Sequence, residues 1–199
     1  MKKEQNVTPA TENHPWEPFA PANAKILFLG SFPPPRTRWS MEFYYPNITN
    51  DFWRIIGIIF FGEKEHFIEQ ETRRFKEKEI KNFLTKKGIA LYDAATAVRR
   101  LKNNASDKFL EIVTPTDIAS LLEKLPECNA IVTTGQKATE IITATIGCRV
   151  PSIGTSTIVK TGKRTINIWR LPSTSRAYPL AVEKKAEYYY RMFTAEGII

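Results

Sequence analysis

The sequence predicts an α/β fold in which helices cover both faces of a mostly parallel sheet. Three short apolar runs, at residues 24–30, 88–93 and 129–135, have the pattern of buried strands. Helical patterns alternate with them, and such alternation is typical of a parallel sheet. With 199 residues the chain is long enough for one core, so we expect a single domain over residues 24–199 behind an extended arm, residues 1–23.

Each element has its own local signal, starting with the arm. The arm is polar and proline-rich, and its Trp16 and Phe19 are expected to pin it to the domain. After the first strand and a long loop, residues 31–49, the apolar stretch at 50–61 has the pattern of a helix. Its start is predicted at Asn50, which is a good N-cap residue.

The rest of the chain continues the alternation of helices and strands. Residues 64–87 are highly charged and predict a helical stretch with a solvated face. The remaining predicted elements are helices at 114–125, 136–147 and 178–193, and a hairpin over 156–171 that turns at Thr161 and Gly162.

Composition and charge exclude several classes of function and indicate the kind of partner. A formal net charge of +8 and a pI near 9.5 indicate an anionic partner, most commonly nucleic acid. The chain has two cysteines and two histidines, and their spacing excludes the zinc site of a deaminase. These small numbers also disfavour an iron–sulfur enzyme and a Ser-His-Asp hydrolase. We therefore expect neither a metal nor a cofactor. No apolar stretch is long enough to span a membrane, and no signal-peptide region follows the N-terminal lysines. We therefore expect a cytoplasmic protein with no membrane partner.

The ligand is expected at the carboxyl ends of the parallel strands, because open α/β sheets bind their ligands there. Four segments meet at that edge, at residues 31–50, 93–102, 135–137 and 172–178. They carry basic residues, which favours nucleic acid as the partner. These residues are Arg36, Arg38, Arg99, Arg100, Lys102, Lys137 and Arg176.

The first of these loops is unusual, because Pro33, Pro34 and Pro35 remove three backbone N–H donors. Loops that bind nucleotide phosphates are instead rich in glycine, so that several N–H groups converge on the anion. The proline loop therefore predicts a site that does not hold a nucleotide phosphate on its backbone. The alternative is a stiff loop that contacts no ligand.

Five segments, LGSFPPP, YYPNITNDFW, GIALYDA, VTTGQKA and LPSTSRA, occur in the order and spacing of the uracil-DNA glycosylase superfamily. The chain most resembles the hypoxanthine-DNA glycosylase branch and the nearby mismatch-specific glycosylases, over nearly its whole length. The resemblance implies a three-layer α/β/α sandwich with a short, mainly parallel central sheet. It also implies a monomer whose partner is DNA, as a damaged duplex or a single strand. Such an enzyme flips a nucleotide and holds its neutral base in a pocket, which suits a proline wall.

Two positions that are catalytic in the superfamily are apolar in this chain. Relatives with strong activity carry Asp or Asn where this sequence has Phe32, and many carry His or Asn where it has Leu171. In the hypoxanthine branch an Asn takes over, and it matches Asn50, whose amide oxygen is expected to orient a water on the sugar C1′. The alternative is that Asn50 only caps the helix.

The resemblance also implies a set of residues that hold the base: Gly30, Ser31, Phe32, Tyr45, Asn47 and Asp93. Tyr45 is expected to stack on the base, or else to pack in the core. Asn47 stands where relatives often have His. It is expected to hydrogen-bond to the substrate, or else to be a turn residue. Asp93 is expected to accept a hydrogen bond from the ring N–H of a base such as hypoxanthine or uracil. The alternative is that it caps a helix or forms a salt bridge with Arg99.

DNA contacts are expected from the proline loop and from the loop after the last strand, which matches the DNA-inserting loop of the superfamily. Arg176 is the candidate to fill the space of the flipped base or to clamp its backbone. The predicted DNA-contacting residues are Pro33, Pro34, Pro172, Ser173, Thr174, Ser175 and Arg176.

The expected function is a DNA base-excision repair glycosylase that hydrolyses the N-glycosidic bond of a deaminated or mismatched base, with hypoxanthine and uracil as leading substrates. One alternative is a damaged-DNA-binding module with weak or no activity, which Phe32 and Leu171 favour. Another is a small-molecule nucleoside or nucleotide hydrolase, which the basic rim and the missing phosphate loop disfavour.

Overall fold

The structure is a computed structural model that describes residues 9–102, 107–162 and 164–199. In chain order its strands are β1 (Thr11–Asn13), β2 (Ile26–Gly30), β3 (Ile68–Glu69), β4 (Arg74–Phe75), β5 (Ile89–Asp93), β6 (Ala95–Arg100), β7 (Leu110–Pro115), β8 (Ala130–Thr134), β9 (Thr155–Thr161) and β10 (Arg164–Leu171). Its α-helices are α1 (Phe52–Phe61), α2 (Glu77–Lys87), α3 (Ile118–Glu123), α4 (Gln136–Ile146) and α5 (Val182–Ala195). Within these ranges, no helix has both the length and the apolar character needed to cross a membrane.

The centre of the fold is a five-stranded sheet with the strand order β5-β2-β8-β10-β9. The first four of these strands run parallel, and β9 joins the edge antiparallel as the first arm of a hairpin with β10. Every residue of β2, β5 and β8 is buried, as expected of strands that are covered on both faces. The predicted strands and the hairpin are confirmed, although Lys163 in the hairpin turn lies outside the described residues.

The strand register shows how the helices divide between the two faces of the sheet. Phe28 of β2 packs against Phe52 of α1 and Phe193 of α5, so these helices share one face. Phe28 is the register partner of Val132 in β8. The next residue of β8, Thr133, therefore points its side chain to the opposite face. There its hydroxyl lies 2.7 Å from that of Thr139 in α4. The predicted α/β fold, with helices on both faces of a mainly parallel sheet, is confirmed.

Residues 95–100 form a strand, which corrects the prediction of a loop over 93–102. This strand, β6, pairs antiparallel with β1 of the arm and with β7 in a separate three-stranded sheet. Ala95, Val98 and Leu110 form a small apolar cluster there. Short-range patterns do not reveal this sheet, because β1 lies far along the chain from β6 and β7, and β6 ends in two arginines.

The charged stretch at 64–87 is helical only from Glu77, where α2 begins, so the prediction is wrong for its first half. That half contains the β3–β4 hairpin. In its turn the backbone of Arg73 is left-handed, with φ at 53°, a conformation that an α-helix does not contain. The last helix, α5, begins at Val182, later than the predicted start at residue 178.

Two other helices also begin later than predicted, and an aspartate occupies the N-cap position of each, although the Asp51 side chain makes no cap hydrogen bond. In α1, which begins at Phe52, Asp51 rather than Asn50 occupies the N-cap position, so Asn50 lies one residue outside the helix. In α3, which begins at Ile118, the side chain of Asp117 accepts a hydrogen bond from a backbone N–H of the first turn. The existence of both helices is confirmed.

The arm is attached to the domain by aromatic packing and by backbone hydrogen bonds. The ring of Trp16 lies 4.5 Å from that of Trp39, and the ring of Phe19 meets Phe43 edge to face at 5.2 Å. Phe19 also exchanges two backbone hydrogen bonds with Leu91 of β5, at 3.0 and 2.9 Å. The predicted contacts of Trp16 and Phe19 are therefore present. The first eight residues of the arm lie outside the described ranges.

Candidate active site

A cleft of about 550 Å³ opens at the carboxyl ends of β2, β5 and β8, which is the edge predicted for a ligand. The last residues of these strands, Gly30, Asp93 and Thr134, line it together with the loops that follow. Every predicted site residue except Pro172 lines this cleft. Pro172 is buried, and its carbonyl oxygen accepts a hydrogen bond from the Tyr189 hydroxyl at 3.0 Å. The full lining is Gly30, Ser31, Phe32, Pro33, Pro34, Arg38, Tyr45, Pro46, Asn47, Thr49, Asn50, Asp93, Asp107, Thr134, Ser173, Thr174, Ser175, Arg176 and Ala177.

The proline loop is held in place through its carbonyl groups. The carbonyl oxygen of Pro33 accepts from the guanidinium of Arg100, and that of Pro34 accepts from the indole N–H of Trp39 at 2.8 Å. The proline rings supply no N–H group that could bind a phosphate. The loop is thus a rigid wall of the cleft, built from apolar rings.

Phe32 and Leu171 offer no polar group to the cleft. Phe32 is half-buried, and its ring lies 5.5 Å from the ring of His14 and 5.7 Å from the guanidinium carbon of Arg100. Leu171 is fully buried at the end of β10. The Phe32 side chain therefore contributes only its shape to the cleft, and Leu171 does not line it.

Asp93 is held by a histidine of the arm. Oδ2 of Asp93 lies 2.9 Å from Nε2 of His14, and the two side chains are only 9% and 3% exposed. The alternative partner, Arg99, is instead paired with Glu111 at 3.2 Å, so that interpretation is wrong. Asp93 thus lines the cleft, and one of its carboxylate oxygens contacts a buried histidine.

Gly30 makes room for the Asp93 carboxylate. The two residues are register partners at the ends of β2 and β5. A Cβ atom on Gly30 would lie 2.4 Å from Oδ1 of Asp93, which is closer than real Cβ contacts allow. Any larger residue at position 30 would therefore displace the carboxylate from its place on the cleft floor.

Tyr45 forms a fixed aromatic surface beside Asp93. Its ring stacks on Phe52 with a centroid distance of 3.9 Å and an interplanar angle of 9°. Its hydroxyl lies 3.0 Å from that of Thr134, and burial together with the Asp93 charge raises its pKa, so it stays protonated. Tyr45 is also strained, with φ at 52°. The residue therefore packs on the core and lines the cleft at the same time.

The two asparagines of the second loop are oriented by local hydrogen bonds. Oδ1 of Asn50 accepts from the backbone N–H of Phe52 at 2.9 Å, which satisfies one donor at the start of α1. Oδ1 of Asn47 accepts from both the N–H and the hydroxyl of Thr49, each at 3.0 Å. Asn50 thus lines the cleft in a fixed orientation, and the side-chain oxygen of Asn47 stabilises a turn.

The loop after β10 is compact and contacts the start of α1. The hydroxyl of Ser173 accepts from the N–H of Ser175 at 3.2 Å. Thr174 is buried, and its carbonyl oxygen accepts from the N–H of Asp51 at 2.9 Å. Arg176 is 57% exposed, with its guanidinium 3.5 Å from the Asp51 carboxylate. Arg176 therefore lies at the exposed rim of the cleft, next to the start of α1.

The basic residues predicted at this edge divide into two groups. Three arginines do not line the cleft and are paired with carboxylates: Arg36 with Glu42, Arg99 with Glu111 and Arg100 with Glu12. Arg38 and Arg176 line the cleft, and Lys137 borders a neighbouring depression. The positive charge at the cleft therefore comes from fewer residues than the sequence predicts.

Four polar residues at the site are absent from the sequence-based prediction: Thr49, Thr134, His14 and Asp107. Thr134 could have been predicted, because it lies one residue before the end of a predicted strand, whereas His14 is 79 positions from its partner Asp93. Asp107 also lines the cleft and accepts from the Ser31 hydroxyl at 2.8 Å. Desolvation raises the pKa of Asp107 and the Asp93 charge adds to this, while the Ser31 hydrogen bond opposes it.

Comparisons with known proteins bear on the fold. No protein-family model matches the chain, and no curated protein matches it. The chain is similar to a solution NMR structure of a protein from Methanosarcina acetivorans described as a "putative Uracil DNA glycosylase". The TM-score is 0.61 at 23% sequence identity, over 93% of this chain and 99% of that one. The two chains share a fold over nearly their full lengths.

Proposed function

We propose that the chain is a monofunctional DNA glycosylase of the uracil-DNA glycosylase superfamily, in the hypoxanthine and mismatch-specific branch. It hydrolyses the N-glycosidic bond of a deaminated or mismatched base that has been flipped out of DNA, and it leaves an abasic site. Hypoxanthine and uracil are its leading substrates. It acts as a cytoplasmic monomer without a cofactor, and the fold that it shares with the Methanosarcina acetivorans protein supports this assignment.

The observation that carries the proposal is the arrangement of Tyr45 and Asp93 in one cleft with the proline wall. The Tyr45 ring is backed by Phe52 and offers a flat surface, and stacking on such a surface contributes about 1–3 kcal/mol per base. Asp93 offers a hydrogen-bond acceptor at the end of β5. A flat ring with an N–H at its edge satisfies both, and a phosphate satisfies neither.

Asn50 is the residue that we assign to the attacking water. One lone pair of its Oδ1 is used by the N–H of Phe52, which leaves the second lone pair and the amide N–H₂ for the cleft. An amide is not a strong base, so its contribution is orientation of the water toward C1′. The helix-start contact and the catalytic role are compatible, because they use different lone pairs.

DNA binds across the rim of the cleft in this proposal. Arg38 and Arg176 supply positive charge there, and Ser173 and Ser175 supply hydroxyl groups for phosphates. The net charge of +8 adds a long-range attraction to the polyanion.

A damaged-DNA-binding module with weak or no activity is the second candidate function. Leu171 and Phe32 favour it, because both replace polar residues of active relatives and neither carries a group that could stabilise a developing charge. In that case the same cleft holds the flipped base, and the glycosidic bond stays intact.

Incubation with a panel of duplexes tests the proposal. Each duplex carries one uracil, hypoxanthine, G·T or G·U site, and cleavage is detected as alkali-labile strand breaks. We expect breaks at hypoxanthine or uracil and none in an undamaged duplex. Tight lesion-specific binding without breaks would instead support the binding module, and neither binding nor breaks would contradict both functions.

A further inference from the structure

His14 connects the arm with the floor of the cleft. It directly follows β1, and its backbone N–H donates to the carbonyl oxygen of Thr96 in β6 at 2.8 Å. Its ring packs against those of Tyr92 and Phe32, with centroid distances of 4.7 and 5.5 Å. The side chain is 3% exposed and its Nε2 reaches Asp93. The arm thus delivers a buried imidazole to the end of β5 that faces the cleft.

The contacts of His14 determine what Asp93 can do as a hydrogen-bonding group. Nε2 lies 2.9 Å from Oδ2 of Asp93, and Nδ1 lies 2.8 Å from the carbonyl oxygen of Trp16, so Nδ1 carries a hydrogen. One further hydrogen lies between Nε2 and Oδ2. Whether it belongs to the imidazole or to the carboxyl, it is engaged at Oδ2. Oδ1 is left with lone pairs and no hydrogen.

The alternative tautomer of His14 leads to the same result. The N–H of Trp16 also lies 3.2 Å from Nδ1, so Nδ1 can act as an acceptor instead. Nε2 then carries the ring hydrogen and donates it to Oδ2 of Asp93. Oδ1 is again a pure acceptor, so this property of Asp93 does not depend on the position of the proton.

Oδ1 is also the oxygen that a ligand can reach. Within the described ranges Oδ1 of Asp93 has no hydrogen-bond partner, and those ranges contain no buried side-chain oxygen without one. Asp93 lines the cleft, and Oδ1 is the carboxylate oxygen that the His14 contact leaves for a ligand. The missing side chain of Gly30 leaves the space in which it lies.

We propose that His14 is a positioning residue that determines specificity, because it locks Asp93 as an acceptor toward the base; this inference rests on the proposed function. Deamination gives a base a ring N–H beside its new carbonyl group. The parent amino base has a bare ring nitrogen at the same position. An acceptor fixed by His14 binds the ring N–H of the deaminated base and repels the bare ring nitrogen of the amino base. The selected ligand is therefore a nucleobase in its lactam form.

Two substitutions separate this role from a general role in folding. His14→Gln places an amide N–H₂ near the position of Nε2, so it keeps a donor on Asp93. His14→Asn places its amide near Nδ1, so it keeps the contact with Trp16 and loses the contact with Asp93. Glu12→Gln is the control, because it removes the ion pair between the arm and Arg100 without touching Asp93. Circular dichroism verifies that each variant is folded.

The measurement is the ratio of affinities for two single-stranded oligonucleotides that differ in one hypoxanthine or adenine, so that base pairing does not contribute. We expect His14→Asn to lower the hypoxanthine-over-adenine ratio about 10-fold, while His14→Gln retains most of it. Glu12→Gln is expected to leave the ratio unchanged. An unchanged ratio in His14→Asn, or equal losses in both His14 variants, would overturn the inference.

Binding and cleavage report separately on the two proposals. A wild-type protein that discriminates by affinity but releases no base contradicts the glycosylase and leaves the role of His14 supported. A wild-type protein that cleaves hypoxanthine and adenine oligonucleotides at equal rates, with equal affinities, contradicts the role of His14 and leaves a glycosylase activity in place.

Discussion

Nζ of Lys185 lies 2.8 Å from Oδ2 of Asp51, and this lysine side chain is completely buried. The same ammonium donates to the carbonyl oxygen of Ser175 at 2.8 Å, and the N–H of Asp51 donates to that of Thr174 at 2.9 Å. Helix α5 thereby ties the loop after β10 to the start of α1. Because Asn50 directly precedes Asp51, this buried pair links the proposed water-orienting residue to the proposed DNA loop.

Removal of the lysine charge is expected to destabilise the protein strongly. Lys185→Met leaves the buried Asp51 carboxylate without its closest partner, and breaking a buried pair from one side costs about 3–5 kcal/mol. The nearby Arg176 compensates in part, so we expect a loss of about 3 kcal/mol in the free energy of unfolding, measured by urea denaturation.

The double variant Asp51→Asn with Lys185→Met provides the control for this prediction. It removes both charges, so it is expected to cost less than the sum of the two single substitutions. Additive losses, or a Lys185→Met protein as stable as wild type, would show that the pair contributes no coupling between α1 and α5.

The central sheet and the position of the site could be predicted, because both depend on local patterns. The apolar runs that end at Gly30, Asp93 and Gly135 identify three parallel strands, and the carboxyl ends of such strands meet at one edge. The cleft lies at that edge and includes Tyr45 and Asn50 from the following loops. The chain direction predicts only that their loop lies at this edge, whereas the choice of these two residues rests on the resemblance of the segment YYPNITNDFW to the superfamily.

The second sheet and the partners of the site residues could not be predicted in the same way. His14 reaches Asp93 only because β1 pairs with β6, and nothing in the arm signals that pairing. Lys185 lies on a helix whose charged residues are otherwise exposed, so its complete burial depends on tertiary packing against Asp51. Contacts between distant segments determine both features.

Arg176 is expected to contribute to DNA affinity more than a lysine on α2. Arg176 lines the cleft, whereas Lys78 is exposed on α2 and does not. Arg176→Ala should weaken binding to a lesion duplex and reduce the slope of log affinity against log salt concentration by about 1, and Lys78→Ala should do neither. Fluorescence anisotropy at several salt concentrations measures both. Equal effects of the two substitutions would place the DNA surface elsewhere.

Gly30→Ala is expected to damage the site more than the fold. The new Cβ would meet Oδ1 of Asp93 at 2.4 Å and push the carboxylate away from its position. Misplacement by about 1 Å can cost on the order of 100-fold in rate, so we expect single-turnover cleavage to fall by about 10- to 100-fold. Thermal unfolding, followed in parallel, should show a cooperative transition. A variant with the wild-type rate would show that the place of Asp93 is unimportant.

Asp93→Asn is expected to change the preferred base without abolishing cleavage. The ring N–H of uracil lies between two carbonyl groups, which an ionised carboxylate repels, whereas that of hypoxanthine has one carbonyl neighbour. An amide can donate to a carbonyl as well as accept from an N–H, so uracil should gain relative to hypoxanthine. Rates on matched duplexes measure this ratio. An unchanged ratio would return Asp93 to a purely structural role.

The central claim is that a water oriented by Asn50 cleaves the glycosidic bond of a base held in this cleft. Single-turnover cleavage of a hypoxanthine duplex, with the released base measured by mass spectrometry, tests it directly. Wild type should release free hypoxanthine and leave an abasic site. Asn50→Ala should slow this release about 100-fold, equivalent to about 2.7 kcal/mol of barrier. Its stability should fall by only about 1 kcal/mol through the lost contact with Phe52. Asn50→Ser, which keeps an acceptor for that N–H, should be as stable as wild type and still slow. Full activity in Asn50→Ser, or no release of base by wild type from any duplex, would contradict the claim.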